Sequence, residues 1–166
     1  MEHAGFESPL SDEQLKELGR LVVNCGFVEF LAGVHVGMLL KASPDARIDL
    51  INPLSTHRKT AILKQGLERI PKDETRKMVA EACELINAAT KHRNTMLHGI
   101  WGLDSDKTDA KAIAVSTKER SGRLRADDIT KCADELALAS RKLADALLTD
   151  SGGKPAGKPE QLVIIS

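Results

Sequence analysis

Apolar positions recur at steps of three and four over most of this chain. From Leu15 they run through Leu18, Leu21, Val22, Cys25, Val28, Leu31, Ala32, Val36 and Leu39, with His35 on the same face. Such steps place side chains on one stripe of an α-helix. Ser11 stands just before the stripe, with Asp12 and Glu13 in the first turn and Gln14 three residues on. That is a capping-box pattern with acids at the positive end of the helix. The spacing predicts a first helix to about Lys41, ahead of Ser43-Pro44. Gly26, Gly33 and Gly37 fall inside it, each costing about 1 kcal/mol against Ala. They are expected to mark the close approach of another helix, in this chain or in a second subunit.

Asp45 to Leu54 reads as a loop. Ser55 or Thr56 caps a second predicted helix, His57 to about Ile70, ended by Pro71. A third runs from Asp73 to about His98 on the stripe Met78, Ala82, Leu85, Ile86, Ala89, Met96 and Leu97, with Gly99 where a cap glycine belongs. The period then changes. Lys111 to Ser116 alternates as a strand does, behind the turn-forming cluster Asp104 to Asp109. A hairpin of Trp101–Leu103 and Lys111–Thr117 is expected, with another turn at Ser121-Gly122. A fourth helix follows from Asp127 to about Thr149 on Ile129, Cys132, Ala133, Leu136, Ala139, Leu143, Ala146 and Leu147. The fold class expected is all-α: a four-helix bundle with a small β-hairpin insertion between the third and fourth helices. It spans residues 11–149, with a flexible N-terminus at 1–10 and a flexible tail at 150–166. That tail is rich in Gly, Pro and Lys until the short apolar run Leu162–Ile165.

Composition narrows the function classes. The chain has 166 residues, enough for one domain with its own core. Lys plus Arg equals Asp plus Glu at 24 each, so any polyanion must be held by a local patch. Three Phe, one Trp and no Tyr leave no stacking platform for single-stranded nucleic acid. Cys25, Cys83 and Cys132 are far apart and read as buried reduced thiols. Leu21–Leu40 has the length of a membrane span but carries Asn24, Glu29 and His35, so a buried bundle helix is expected instead. Met1–Leu10 has no basic leader segment. A cytoplasmic protein without a membrane partner is the expectation.

Several motif matches fail on context. Gly152–Lys158 spells G-x-x-x-x-G-K, but Pro159 stands where Ser or Thr must hold the metal, and no strand and helix flank it. Asp104, Asp106 and Asp109 lack the glycine and closing Glu of a calcium loop. No cofactor or metal site is expected.

Lys91-His92-Arg93-Asn94-Thr95-Met96-Leu97-His98-Gly99 is the informative stretch. Arg93 lies four residues after Ala89 and four before Leu97, on the buried stripe, where a charge needs a partner or a purpose. Asn94 and His98 are one turn apart on the same side. Arg93 and His98 differ by roughly 140° and about 7.5 Å of rise, so one straight helix does not aim them at one atom.

Arg93-Asn94-x-x-x-His98 at the end of the third helix resembles the signature of the HEPN superfamily, and His98-Gly99-Ile100-Trp101 resembles members in which a small hairpin follows. The resemblance covers the helical region from about 11 to 149. It implies a dimerising helical bundle and, in active members, a metal-independent endoribonuclease of the kind found in toxins and defence systems. It implies His98 as general base or acid on a ribose 2′-hydroxyl or leaving 5′-oxygen, a role suited to imidazole. It further implies Arg93 as stabiliser of phosphoryl charge and Asn94 as orienting group. From the residues themselves, Glu29 in mid-helix is expected to pair with Arg93. Lys91, His92, Arg58 and Lys59 are weighed both as RNA-binding charge and as ordinary solvated surface. The expected partners are a second copy of the chain and RNA or a nucleotide, with an antitoxin or other protein as a further one. The competing readings are a non-catalytic HEPN-like module that binds nucleotide, RNA or protein, and a plain structural helical module.

Overall fold

The computed structural model describes residues 8–103, 112–115, 123–125 and 127–150. Ser11 caps α1, Asp12–Leu39, by a reciprocal pair: its hydroxyl accepts from Gln14 N at 3.3 Å and its own N–H donates to Gln14 Oε1 at 2.9 Å. The helix closes with Lys41 in the left-handed region at φ 51°, while Lys41 N donates to Met38 O and Ala42 N to Gly37 O. Those two bonds form a Schellman closure around a residue that is not glycine. The flexible N-terminal segment expected at 1–10 is ordered in its last part, because Leu10 is buried in the core; residues 1–7 lie outside the described residues.

The loop expected over Asp45–Leu54 is mostly helical. Ser43 Oγ accepts from Ala46 N, Pro44 occupies the first helical position, and α2, Pro44–Ala46, widens into a π-helical turn at Arg47–Ile51. Ile51 anchors that turn in the core. α3 spans Thr56–Gln65, capped by Ser55, and stops five residues before the expected Ile70. Gly66 ends it, and Leu67–Arg69 continues as a 3₁₀ turn. A Cβ at Gly66 would collide with the Leu39 side chain, so the end of α1 requires glycine there.

α4, Asp73–His98, matches its expected bounds. Gly99 does follow it, but in an extended conformation (φ −78°, ψ 167°) that leads directly into a strand. β1, Ile100–Leu103, pairs antiparallel with β2, Ala112–Val115, with Trp101 opposite Ala114. β2 pairs in turn with β3, Arg123–Arg125, a strand the sequence pattern did not announce. The Trp101 indole N–H donates to Met96 O at 3.0 Å, satisfying one of the orphan carbonyls of the last turn of α4 and fixing the sheet to it. α5 follows as Asp127–Asp150. The proposed tail from Ser151 and the Asp104–Asp109 turn lie outside the described residues.

The molecule is mostly helical. α5 lies against α1 and α4, and α3 packs on α1 and α4. Facing stripes rich in small residues (Ala32, Ala82, Ala89, Ala133, Ala139, Ala146) let the axes approach closely around Leu21, Val28, Ile86, Leu136 and Leu143. Polar ties cross the same seams: Asn24 Nδ2 donates to Ala133 O at 3.0 Å, and His35 Nε2 to Leu143 O at 2.8 Å. Cys25, Cys83 and Cys132 are buried free thiols, as expected. By length and composition α1 is long and apolar enough to cross a membrane, and 44% of its most apolar window is buried inside the protein.

The glycines of α1 have separate roles. At Gly33 a Cβ would lie 3.7 Å from Lys59 Cε, and at Gly37 it would lie 2.8 Å from Arg47 Nε. Both positions therefore admit cationic side chains of the same chain rather than a second subunit. Gly19 and Gly26 face open space.

Candidate functional site at the end of the fourth helix

The last two turns of α4 carry the candidate chemistry. Lys91, His92, Asn94 and His98 are exposed, and Arg93 is half-buried. His98 is the last helical residue, where the chain turns through Gly99 into β1. Arg93 Nε donates to Asn94 Oδ1 at 3.2 Å. Adjacent residues on a helix diverge by about 100°, so this bond bends both side chains toward one region of surface. Asn94 and His98 are stacked one turn apart. The helix thus presents an amide, a guanidinium and an imidazole at its exposed end, while Met96 turns inward to the core.

Two buried thiols, Cys25 of α1 and Cys132 of α5, lie within reach of the Arg93 charge. Burial pushes both thiols up, Cys132 to about 12, and in each case the Arg93 charge pulls the other way. Arg93, half-buried on α4, is thus close enough to α1 and α5 for its charge to act on a thiol of each. A thiol so far above neutrality stays protonated and serves as packing.

Glu29 does not pair with Arg93. Its carboxylate lies 3.7 Å from Lys59 Nζ of α3. Lys59, expected on a solvated or RNA-facing surface, is 1% exposed. Its ammonium also donates to Asn52 O at 3.1 Å and Glu29 O at 3.4 Å. The buried face of α3 is Thr56, Lys59, Thr60 and Leu63. Three of these four are polar, so an apolar stripe could not reveal it; the three-and-four spacing alone was the available signal. Gly33 supplies the room in which the Lys59 stem runs. Arg58, one residue earlier, is exposed. Lys59 thus leaves the set of residues open to a ligand, and Glu29, Arg93, Asn94 and His98 stay reachable from solvent.

Among the described residues, no three of His, Cys, Asp and Glu converge as a metal-binding group would. No protein-family model, curated protein or solved structure matches this chain.

Proposed function

We propose that this chain is a HEPN-type, metal-independent endoribonuclease acting as a homodimer, in the class of toxin or defence components of the cytoplasm. The observation that carries the reading is the exposed array at the end of α4, where Arg93 is hydrogen-bonded to Asn94 and His98 stands one turn beyond. An Arg…His pair turned into a dry core would have had no substrate access. In this reading His98 moves a proton at the ribose 2′-hydroxyl or the leaving 5′-oxygen. Arg93 neutralises charge gathering on the phosphoryl oxygens. Asn94 holds the guanidinium in place through the 3.2 Å bond and offers its amide N–H groups to a phosphate. Lys91, His92 and Arg58 add exposed positive or titratable groups for the RNA strand.

One chain supplies one His98, and cleavage by proton transfer needs both a base and an acid. A second copy provides the other. α1 offers it a surface: Leu15, Val22, Val23, Phe27 and Phe30 are all exposed, and Gly19 and Gly26 lie open between them. Such a stripe of large apolar side chains with open glycines suits close helix-to-helix docking.

Incubation of the purified chain with mixed RNAs in excess EDTA tests the reading. Cleavage that spares DNA of the same sequence and is lost in His98→Ala supports it. Intact RNA, or undiminished cleavage by His98→Ala, replaces it with the alternative of a non-catalytic module that binds nucleotide, RNA or a protein.

A further inference from the structure

At the opposite end of the bundle from the sheet, the C-terminal ends of α1 and α5 and the start of α4 enclose a half-open cavity of about 700 Å³. That is the size range of sites built for a compact ligand. Its walls are aliphatic: Leu39, Leu63, Ile70 and Pro71 line it, and the exposed side chains of Met38 and Leu40 extend that lining. No Phe or Trp is among the lining residues, so a nucleobase or other flat ring finds no stacking partner there. A saturated chain matches such walls better.

Thr75, in the first turn of α4, is also a lining residue. It is 3% exposed, and its hydroxyl has no hydrogen-bond partner among the described residues. A buried hydroxyl left unpaired is costly, and an acceptor carried by an occupant offsets that cost. His35 of the same wall already donates from Nε2 to Leu143 O.

The charged lining residues are Lys41, Arg69 and Asp150. Neither cation makes an ion pair among the described residues. Lys41 has a φ of 51°, in the left-handed region that a helix end ordinarily gives to glycine. The helix closure gains nothing from a lysine there, whereas the cavity gains an ammonium. Two cations against one carboxylate leave a single positive charge. A monoanionic head group balances it, and a dianionic phosphate exceeds it.

We propose that this cavity binds an aliphatic monocarboxylate, a fatty acid of medium chain length. Its carboxylate accepts from the Thr75 hydroxyl and is flanked by the long side chains of Lys41 and Arg69. Its chain lies along Leu39, Leu63 and Ile70. The site is at the far end of α4 from His98 and stands independently of the ribonuclease reading.

Calorimetric titration of the full-length chain with decanoate, below its micelle concentration, tests this, with decanol as the uncharged control. One decanoate per chain is expected, and decanol should bind at least about 10-fold more weakly. Thr75→Val nearly keeps the side-chain shape, removes the hydroxyl and should weaken decanoate by about 10-fold. Lys41→Gly suits the left-handed backbone, so it should raise the melting temperature of the free chain. It should also weaken decanoate by about 3-fold, the size of a solvent-screened charge contact. A lysine that serves only the fold would lower the melting temperature and leave affinity unchanged. Absent binding overturns the proposal, as does equal affinity for decanoate and decanol. So does unchanged affinity in either variant; should Thr75→Val fail to fold, Lys41→Gly decides. Binding that survives both variants but is lost in Val23→Glu with Phe27→Glu puts the chain on the exposed face of α1 and also overturns it.

Discussion

The Lys59 ammonium sits inside the fold, 3.7 Å from the Glu29 carboxylate and 3.1 Å from the Asn52 carbonyl. The cation is 2% exposed at its side chain and the carboxylate 45%. Lys59 thus ties together three separate stretches: the middle of α1, the end of the π-helical turn, and α3. Its partners differ in consequence. The two carbonyls are held beside a buried ammonium, whereas the carboxylate can also be solvated by water.

Lys59→Met keeps the stem but removes those donors. It should cost about 1–3 kcal/mol, the range for leaving buried polar groups unpaired. Glu29→Gln should cost under about 1 kcal/mol, because a half-exposed carboxylate is screened by solvent. Urea denaturation of both variants measures this. Equal losses would mean that the ion pair, not the carbonyl contacts, carries the stabilisation.

His35 gives the fold a pH dependence. Its burial holds the imidazole below its usual value, opposed by the hydrogen bond to Leu143 O and the charge of Asp150. The unfolded chain, with His near pKa about 6.5, therefore binds the proton more readily than the folded one. The associated stability is complete above that value and is lost as pH falls below it toward the folded pKa. Denaturation from pH 7.5 to 5 should show wild type losing its advantage over His35→Gln as acid is added. Parallel profiles would show that His35 does not titrate on unfolding.

The open glycines of α1 separate folding from association. Gly26→Ala and Gly19→Ala should each raise monomer stability by up to about 1 kcal/mol, since a Cβ meets nothing there. Gly37→Ala should destabilise, because its Cβ would fall 2.8 Å from Arg47 Nε and 3.0 Å from its Cγ. Val23→Glu with Phe27→Glu should leave the monomer folded and abolish dimerisation. Light scattering at tens of micromolar decides: a wild-type monomer mass removes the dimer from the proposal.

The thiols should be inert in the native state. Burial raises Cys83 to about 11 and Cys132 to about 12, and raises Cys25 as well. Only a thiolate reacts quickly with a disulfide reagent. At pH 8 all three should react on unfolding and none at a comparable rate before it. Rapid native labelling of Cys25 would place its thiol in an open crevice.

His98 and Arg93 should separate by stability as well as by activity. His98 is exposed at a helix end, so His98→Ala should keep the wild-type melting curve while cutting cleavage by about 10²–10⁴-fold. Arg93 is half-buried, so Arg93→Ala should lower both activity and melting temperature. A destabilised His98→Ala would assign that imidazole to the fold.

What lay open in the sequence is what a helix settles within one or two turns. The Ser11–Gln14 cap, the bounds of α4 and the start of α5 at Asp127 follow from local hydrogen bonds and side-chain spacing. So does the adjacency of Arg93 and Asn94, with His98 one turn beyond. Relations between helices were closed to it. Glu29 was assigned to Arg93 by sign of charge, and the fold gives it to Lys59, thirty residues away. Gly33 does mark the approach of another helix, since it faces Lys59 of α3, but the sequence could not name that partner, nor show that Gly37 faces the Arg47 side chain of the same chain. Asp45–Leu54 reads as a loop in the sequence, yet most of it is helical, with Ile51 docked in the core. A backbone hydrogen bond joins residues four apart and is written in a short stretch of chain. Which cation reaches a carboxylate depends on how helix axes cross and how much room a missing Cβ leaves, and both are fixed only when the whole core packs.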